Sequence, residues 1–493
     1  MLILNVVSID LGTTYIKVAN VFVESGVAPK ITKSVEIPTP YVKPALRAYE
    51  HNPKEVLKLL YKAVRKVVTK ADAIVLSTYL FGILGVDKSY RPLTNVITWV
   101  DERPTKALRY LKTYDREIYL RTGCPLLHIY GLPKILWLKK FKSSVSRNIT
   151  FYLDVKSFIT HAFTGNAVTD LSSASGTYQL LNINELRWDA FALELAGIDE
   201  NQLPELREGY EVLEIKDNLV EELNLKNKTP LILGLYDGAT MIYGMTLGQS
   251  GKGVVNLGTS AMLRVVTDYP VLDKNVQVRF QTYYLLGRKW ISGGGVNNAG
   301  IVLDYLHNLF WVSRTKEEFF NMMFKEIEDK LNVGSNVLFI PTIYPERLPL
   351  SIFKPAGGGG ALIGLKPNTT LSDVFKAAVE GIIFLLKIIN DGLIENNVTY
   401  ENLLIGGKLA QQPIVRKILA NVIAKKITYC GFPHVSHVGN ALLAFKALRY
   451  GSEKELKEIY ESMMNECSED LPTPELIKYY NTLFKKFTRI IHK

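Results

Sequence analysis

Two short segments of the sequence place a glycine beside hydroxyl side chains. Residues 9–14 read IDLGTT and residues 256–260 read NLGTS, and β-branched residues precede both. Glycine lets the backbone approach a ligand closely, and consecutive amide and hydroxyl donors can bind phosphate oxygens. Asp10 and Asn256 occupy equivalent places about half the chain length apart. This internal repeat suggests two related halves that could hold one polyphosphate between them.

Each segment predicts a β-hairpin, because strand-forming residues both precede and follow the Gly-Thr turn. A Walker-type phosphate loop is excluded, since no GxxxxGK[ST] sequence occurs. A single LGT turn is more often an ordinary hairpin loop. The duplication is what favours the phosphate-binding interpretation.

Two aspartates could carry chemistry beside such a phosphate site. Asp10 would lie at the end of a strand next to the first turn, where a carboxylate could hold Mg²⁺ or its waters. Asp237, in GLYDGATMIYG, precedes an apolar run suited to a helix and could accept a proton from a substrate hydroxyl. The alternatives are a turn-capping role for Asp10 and a helix-capping role for Asp237.

The intervening sequence alternates apolar strands with amphipathic helices, which indicates an α/β fold. Residues 54–70 and 372–392 have apolar positions at helical spacing, whereas residues 96–100 and 403–405 are typical of short strands. The charged, amphipathic segment 453–493 predicts a pair of terminal helices.

Further glycines and a polar link complete the predicted organisation. Gly406 and Gly407 lie between a predicted strand and a helix that begins near Pro413, a unit that could accept a flat adenine against the backbone. A polar, proline-containing stretch near residues 226–231 predicts a boundary, which divides the chain into domains 1–228 and 229–493.

Composition restricts the class of protein. The chain has 493 residues, 47% of them hydrophobic and 22% charged, so a soluble two-domain protein is expected and collagen, coiled coil and disorder are excluded. The net charge of +11 is spread along the chain, which argues against nucleic-acid binding. No apolar run reaches the roughly 18 residues of a membrane span, and residues 382–389 are interrupted by Lys387.

The three cysteines, Cys124, Cys430 and Cys467, are too few and too scattered to predict a disulfide framework or a zinc site. The apolar amino terminus lacks a basic region and a small-residue cleavage site, so we expect a buried strand rather than a signal peptide. A cytoplasmic location fits these features best.

The ordered motifs IDLGTT, WVDER, PKILW, GLYDG, VVNLGTS, NNAG, PERLP and IGGKLAQQP make the chain resemble the FGGY carbohydrate kinases over essentially its whole length. The resemblance implies two actin-like ATPase lobes, each with a ribonuclease-H-like α/β fold, around a central cleft. It places the sugar deep in the cleft and MgATP above it. The resemblance does not decide whether the protein forms a homodimer.

The same resemblance assigns roles to individual residues. Asp237 corresponds to the general base, and Asp10 and Asp237 to the carboxylates near magnesium. Nucleotide-binding roles fall on residues of the Gly-Thr turns, the NNAG motif and the Gly-Gly segment, namely Thr13, Thr14, Lys17, Gly258, Thr259, Gly300, Gly406, Gly407 and Gln412. The implied reactants are ATP, with Mg²⁺, and a sugar or sugar acid.

The choice of sugar is less determined. Residues 76–104, 122–137 and 291–306 are most similar to gluconate kinases, while xylulose kinases, or kinases of another ketose or polyol, are the alternative. Leu80 and Phe81 stand where both kinds of kinase usually carry Met-His, which removes a polar substrate contact.

Smaller departures from the family pattern also occur. His128 lies one place later than the histidine of gluconate kinases, with an exposed loop histidine as the alternative, and Asn421 stands where aspartate is frequent.

The WVDER segment supplies the predicted substrate-facing set. Trp99 could pack on the carbon chain of a sugar, Asp101 could accept hydrogen bonds from hydroxyls, and Arg103 could pair with the carboxylate of a sugar acid. The alternative is a structural cluster at the end of a strand.

A different class, a non-catalytic or purely hydrolytic actin-like ATPase, is the remaining alternative. A regulator of that kind would need a DNA-binding helix-turn-helix and a chaperone a peptide-binding domain, and we expect neither. The glycine run at residues 357–360 has no strand feeding it, so we interpret it as a mobile surface loop rather than a phosphate site.

Overall fold

The computed structural model describes residues 3–226, 228–310, 315–331, 337–344, 346, 359–431 and 434–491. The glycines at 357 and 358, part of the glycine run considered above, lie outside the described residues.

Two mixed β-sheets flanked by helices organise the chain. The first sheet runs in the order Val212–Leu213, Leu231–Ile232, Ala73–Thr78, Ile3–Leu11, Tyr15–Glu24 and Val27–Pro38. The second sheet runs in the order Gln281–Tyr284, Trp290–Val296, Ala261–Thr267, Gly253–Leu257, Asn402–Gly406, Lys426–Tyr429 and Ser468–Asp470.

Smaller sheets extend both halves. Next to the first sheet lie strands Glu50–His51, Val96–Ile97, Ile83–Val86 and Phe151–Asp154, then the pairs Leu181–Asn182 with Arg187–Trp188 and Val168–Asp170 with Glu205–Arg207. In the second half Leu338–Ile340 pairs with Ala361–Ile363.

The helices of the first half are Pro53–Val67, Thr105–Leu108, Asp115–Thr122, Gly131–Phe141, Ser143–Ser146, Val155–Thr164, Leu171–Thr177, Ala190–Ala196 and Asp217–Glu222. Those that follow are Asp237–Thr246, Gly300–Phe310, Lys316–Asp329, Leu371–Glu395, Pro413–Ile423, Val435–Ala447, Glu453–Met464 and Pro474–Ile491. Short 3₁₀ turns lie at Lys112–Tyr114, Glu200–Gln202 and Lys408–Gln411.

Both sheets share one strand topology. In the first hairpin, Ile3–Leu11 pairs antiparallel with Tyr15–Glu24, and in the second, Gly253–Leu257 pairs antiparallel with Ala261–Thr267. The leading strand of each hairpin then pairs in parallel with a later strand, which pairs in parallel with another. This equivalence confirms both predicted hairpins and supports the internal duplication.

The predicted helices form where apolar spacing indicated them. Pro53–Val67 begins at Asn52, whose side chain accepts hydrogen bonds from the amides of the first turn, and it buries one apolar face. The helix Leu371–Glu395 starts with a Thr370–Asp373 capping box and is buried along most of its length. The strand predicted at residues 96–100 is shorter, because a turn begins after Ile97.

Two helices join the halves at a crossing without bulky side chains. A Cβ on Gly439, in Val435–Ala447, would lie 2.1 Å from the carbonyl oxygen of Thr240, in Asp237–Thr246. A Cβ on Gly244 would lie 3.0 Å from the Cα of Gly439. The two backbones therefore approach as closely as glycine allows, and the apolar cluster around them contains residues from both halves.

A buried polar cluster attaches the same helix to the first hairpin. Ser8 Oγ lies 2.8 Å from His437 Nδ1, and Asn440 Nδ2 donates to Ser8 Oγ at 2.9 Å and to the carbonyl of Ile9 at 3.2 Å. Burial lowers the pKa of His437 to about 3, so the imidazole is neutral at physiological pH. These hydrogen bonds attach the helix Val435–Ala447 to the strand Ile3–Leu11, which carries Asp10 near its end.

The structure corrects one expectation about cysteines. Cys430 and Cys467 are joined by a disulfide, whereas Cys124 is free and buried. The pairing arises because Ser468–Asp470 returns to the edge of the second sheet beside Lys426–Tyr429, so residues 37 apart in sequence become neighbours. No sequence motif indicates this long-range contact.

The division at residues 228 and 229 stays a prediction. The next strand, Leu231–Ile232, pairs with Ala73–Thr78 of the first sheet. Among the described helices, none is both long enough and apolar enough to cross a membrane.

Gly439→Ala tests the helix crossing. The added methyl group meets backbone rather than a movable side chain, so we expect a loss of roughly 1–3 kcal/mol in stability and a fall in kcat, because the helix that begins with Asp237 must shift. Thermal unfolding and steady-state kinetics measure the two effects. Lys446→Ala, at an exposed position of the same helix, is the control. Unchanged values for Gly439→Ala would show that the crossing tolerates a wider spacing.

Candidate active site

A cavity of about 230 Å³, called here the inner cavity, lies between the two hairpins. Its walls come from the first hairpin turn, the segments after Ala73–Thr78 and Val96–Ile97, the start of the Asp237 helix and the second hairpin. The lining residues used below are Thr13, Leu80, Phe81, Trp99, Tyr130, Tyr236, Asp237, Asn256, Arg264 and Gln281.

A larger space of about 930 Å³, the outer cleft, adjoins the inner cavity. Thr13, Asp237 and Asn256 line both spaces, so the two meet at the carboxylate of Asp237. The outer cleft also contains Asp10, Thr14, Lys17, Gly406, Gly407 and Lys408.

A third space of about 620 Å³, the side groove, continues from the outer cleft through shared residues Lys408 and Gln411. Gly258, Thr259 and Gly300 line it together with Gln412. The three spaces form one path, with a small chamber at one end and an open groove at the other. A small polar molecule and an extended phosphate-bearing one could meet at Asp237.

Asp237 is the first residue of its helix and lies half-buried at this junction. The N-cap position is Tyr236, and Asp237 Oδ1 accepts a hydrogen bond from the amide of Gly238 at 2.7 Å. Asp237 is therefore not the N-cap residue, and its one hydrogen bond to the first turn uses a single carboxylate oxygen. Burial, and then the nearby charge of Asp10, raise the pKa of Asp237 to about 7.

Buried Lys156 anchors the chain just ahead of Asp237. Its ammonium donates to the carbonyl oxygens of Leu76, Leu233 and Leu235 and lies 3.4 Å from Asp170 Oδ1. One cation thereby ties a strand of the first sheet to the segment that leads into the helix. This arrangement explains how Asp237 keeps its place at the cleft wall.

Asp10 faces the outer cleft from the end of the first strand. Ser436 donates a hydrogen bond to Asp10 Oδ2 at 2.8 Å, while burial raises the pKa of Asp10. Asp10 and Asp237 thus form a pair of partly desolvated carboxylates beside an open cleft, a donor set suited to Mg²⁺ that keeps phosphate and water ligands. Within the described residues, no group of three or more His, Cys, Asp or Glu side chains could hold a metal alone.

Two of the residues predicted to bind nucleotide must be glycine, because each lies too close to a backbone carbonyl oxygen to carry a side chain. Gly407 has φ of 96°, and a Cβ there would lie 2.4 Å from the carbonyl oxygen of Leu257. Gly300 donates its amide to the carbonyl of Gly258 at 3.0 Å, and a Cβ at Gly300 would lie 2.6 Å from that oxygen. These contacts bring the NNAG and Gly-Gly segments to the second hairpin turn.

The NNAG segment is itself held by Glu346 of the PERLP motif. The carboxylate of Glu346 accepts from the amide of Asn297 at 2.6 Å and from the amide of Asn298 at 3.1 Å. No role for this carboxylate was predicted from the sequence.

The remaining predicted residues divide into two groups. Leu80, Phe81 and Trp99 line the inner cavity, and their contact with a substrate stays a prediction. Phe81 has φ of 71° and is held by the hydroxyl of Thr177 and the ammonium of Lys134. A strained residue whose backbone is fixed from two sides is typical of a functional site.

Asp101 and Arg103, by contrast, lie outside the lining of the inner cavity. The guanidinium of Arg103 binds both carboxylate oxygens of Asp101, pairs with Glu50 and stacks 4.8 Å from the ring of Trp137. The amide of Tyr49 donates to Asp101 Oδ2 at 3.1 Å. These contacts match the alternative interpretation, a structural cluster, because the guanidinium already has carboxylate partners.

Two further sequence observations have structural outcomes. His128 is half-buried, and burial together with the Lys134 charge lowers its pKa, so it is not an exposed loop histidine. Asn421 Oδ1 accepts from the amide of Thr473 at 2.8 Å, which joins its helix to the segment before the terminal helix.

Sequence reasoning missed Arg264 and Gln281, two buried polar residues of the inner cavity. The signal for Arg264 was available, since it is a lone arginine within the apolar strand sequence AMLRVVT.

Comparison with known proteins decides the family. The model for the N-terminal domain of the FGGY family of carbohydrate kinases matches residues 5–244, and the C-terminal domain model matches residues 253–448. The chain belongs to the FGGY family of carbohydrate kinases. It is an ATP-dependent sugar kinase with the actin-like ATPase fold of that family.

Relatives of this kinase include gluconate and xylulose kinases. It is 26% identical over 498 residues to a gluconokinase of Bacillus subtilis, covering 98% of this chain and 94% of that protein. The crystal structure of gluconate kinase from Lactobacillus acidophilus has a TM-score of 0.89 at 26% identity, covering 99% of this chain and 97% of that one. Ligand-bound xylulose kinase from the same organism has a TM-score of 0.88, also at 26% identity, with the same coverage.

Asp237→Asn tests the carboxylate at the junction. The amide cannot accept a proton, so kcat should fall by a factor on the order of 10²–10⁴. The melting temperature should not fall, because a buried carboxylate with a raised pKa contributes no folding stability at neutral pH. Asp217→Asn is a matched control, since Asp217 is also the first residue of a helix but is exposed. A near-normal kcat for Asp237→Asn would place the base elsewhere.

Arg103→Leu distinguishes a structural from a substrate-binding guanidinium. Because Arg103 lies outside the cavity and is paired with Asp101 and Glu50, we expect kcat/KM for a sugar acid and for a neutral sugar to fall by similar factors, together with the melting temperature. A loss confined to the sugar acid would restore Arg103 as its carboxylate ligand.

Proposed function

We propose that this kinase transfers the γ-phosphate of ATP to a hydroxyl of gluconate, with Asp237 as general base and Mg²⁺ near Asp10 and Asp237. The observation that carries the assignment of Asp237 is its position, since its carboxylate lies where the inner cavity opens into the outer cleft. A hydroxyl held in the inner cavity would meet a phosphate held in the outer cleft at that carboxylate.

The protein's part in such a transfer is chiefly positioning and electrostatics. Asp237 orients the attacking hydroxyl and accepts its proton. Its pKa of about 7 suits this role, because a base is most effective when its pKa lies near the operating pH. The fixed start of the helix and the anchor at Lys156 keep the carboxylate in one place.

The two hairpin turns are proposed to bind the phosphates. Thr13 and Thr14 offer amides and hydroxyls from the first half, and Gly258 and Thr259 offer them from the second. Lys17 lines the outer cleft, and its ammonium, which lies 3.9 Å from Glu36 Oε1 in a partly exposed ion pair, is proposed to bind phosphate oxygens. Mg²⁺ held near Asp10 and Asp237 would neutralise charge on the transferring phosphate.

The side groove would then receive the adenine. Gly300 and Gln412 line it, and Gly407 lines the adjoining outer cleft. Because Gly300 and Gly407 carry no side chain, a flat ring could approach the backbone there. The outer cleft lies between Asp237 and the side groove, an order that suits a nucleotide whose base is remote from the reacting phosphate.

Gluconate is favoured over other sugars by the relatives and by the three similar sequence segments. Xylulose is the second candidate, because the structural similarity to a xylulose kinase is nearly as high. Leu80 and Phe81 are apolar lining residues of the inner cavity, so hydrogen bonds to a sugar must come from its polar lining residues.

ADP release with a panel of substrates tests this assignment. We expect ATP turnover to depend on an added sugar, because closure of the lobes around substrate must exclude water before the phosphate is aligned. Gluconate should give the highest kcat/KM among gluconate, xylulose, xylitol, glycerol and glucose. Xylulose as the best substrate would move the assignment to the second candidate, and equal ADP release with and without each sugar would indicate a plain ATPase.

A further inference from the structure

Arg264 has an unusual environment for a buried cation. It lies in the strand Ala261–Thr267 with 7% of its surface exposed, and it lines the inner cavity. Its guanidinium carbon lies 4.7 Å from the ring centroid of Tyr283. Its Nη1 atom is buried and has no hydrogen-bond partner. A buried polar group in this state costs stability unless a ligand satisfies it.

Other buried arginines of this chain are paired. Arg279 binds Asp273 at 2.9 Å and also contacts Glu395, and Arg416 binds Asp470 at 2.7 Å. Among the described residues, Arg264 has no carboxylate within ion-pair distance. Of the three buried arginines in the described part of the chain, the one in the inner cavity alone lacks an ion-paired carboxylate.

Two neighbours of Arg264 also have buried polar atoms without hydrogen-bond partners. Gln281 Oε1 and the hydroxyl of Tyr236 are both buried without partners and line the same cavity. The hydroxyls of Tyr130 and Tyr283 bond to each other at 2.7 Å, which fixes the ring beneath the guanidinium. These groups offer hydrogen-bond donors and acceptors to a polyhydroxylated molecule and one permanent positive charge.

The charge balance of the cavity favours an anion. Its lining contains one carboxylate, Asp237, which the proposed reaction commits to the hydroxyl that is phosphorylated. A neutral sugar would leave the guanidinium without an ion-paired carboxylate, and with only the longer-range charge of Asp237, whose pKa the charge of Arg264 lowers. A carboxylate would supply the charge and accept hydrogen bonds from the nitrogens of Arg264 in a planar pair.

We propose that Arg264 binds the carboxylate of a sugar-acid substrate and is the residue by which this kinase selects acids over neutral sugars. The inference rests on the proposed function, since it assumes that the inner cavity holds the phosphate acceptor. It places the acid group at Arg264 and the reacting hydroxyl at Asp237, on different parts of one lining.

Gluconate and D-glucitol form the decisive substrate pair, because glucitol carries a CH₂OH group where gluconate carries the carboxylate. In Arg264→Gln, kcat/KM for gluconate should fall by about 10- to 150-fold, the range for a lost hydrogen bond to a charged group. The loss for glucitol and xylulose should be much smaller. Arg264→Lys should keep part of the preference for the acid, since it keeps the charge without the planar geometry.

Arg279→Gln is the matched control for folding. It removes a buried guanidinium that has carboxylate partners, so it should lower the melting temperature without changing the gluconate-to-glucitol ratio. Arg264→Gln should leave the melting temperature unchanged or raised, because it removes an unpaired charge. Calorimetric binding of gluconate to wild type and Arg264→Gln gives a readout that does not depend on turnover.

The outcomes separate this inference from the proposed function. Equal losses for gluconate and glucitol in Arg264→Gln overturn the role of Arg264 but leave gluconate as substrate. Gluconate binding that requires Arg264, without turnover, supports the acid site and overturns the proposed function. Wild-type enzyme that phosphorylates xylulose but neither binds nor phosphorylates any sugar acid overturns both.

Discussion

The site depends on the crossing of two helices at Gly244 and Gly439. Because neither residue has a side chain, the helix that begins with Asp237 and the helix that carries Ser436 approach to backbone contact. The first helix supplies one carboxylate, and the second supplies the hydroxyl that holds Asp10. A wider crossing would separate the two carboxylates, so the packing of these two helices determines the geometry at Asp10 and Asp237.

In that geometry, charged groups are buried at a cost in stability that bound substrates can reduce. Burial raises the pKa of Asp10, and burial together with the charge of Asp10 raises the pKa of Asp237. Arg264 is buried with one guanidinium nitrogen that has no hydrogen-bond partner. Cations, phosphates and a sugar acid would each reduce one of these costs. Such residues stabilise bound ligands more than they stabilise the fold, which is the expected division between active-site residues and core residues.

Sequence patterns predicted the parts of this structure that local chemistry determines. Both hairpins follow from β-branched residues around a Gly-Thr turn, and Pro53–Val67 and Leu371–Glu395 follow from helical spacing and capping residues. The partners of Arg103 and the disulfide between Cys430 and Cys467 did not follow, because each depends on segments brought together by the sheets. The WVDER segment suggests a substrate contact for Arg103, and nothing in that segment indicates that Glu50 pairs with the arginine in the folded protein.

The duplication shows why Arg264 stands apart. If Asn256 is equivalent to Asp10, then Val254 is equivalent to Ser8, and the residues opposite them across the hairpins are Arg264 and Ala19. Ala19 is a fully buried core residue, so the same place in the first half is small and apolar. The two halves therefore share the turns that face phosphate but differ beyond them. In the proposed function, the turns that both halves share bind phosphate, and the charge that selects a sugar acid belongs to the second half.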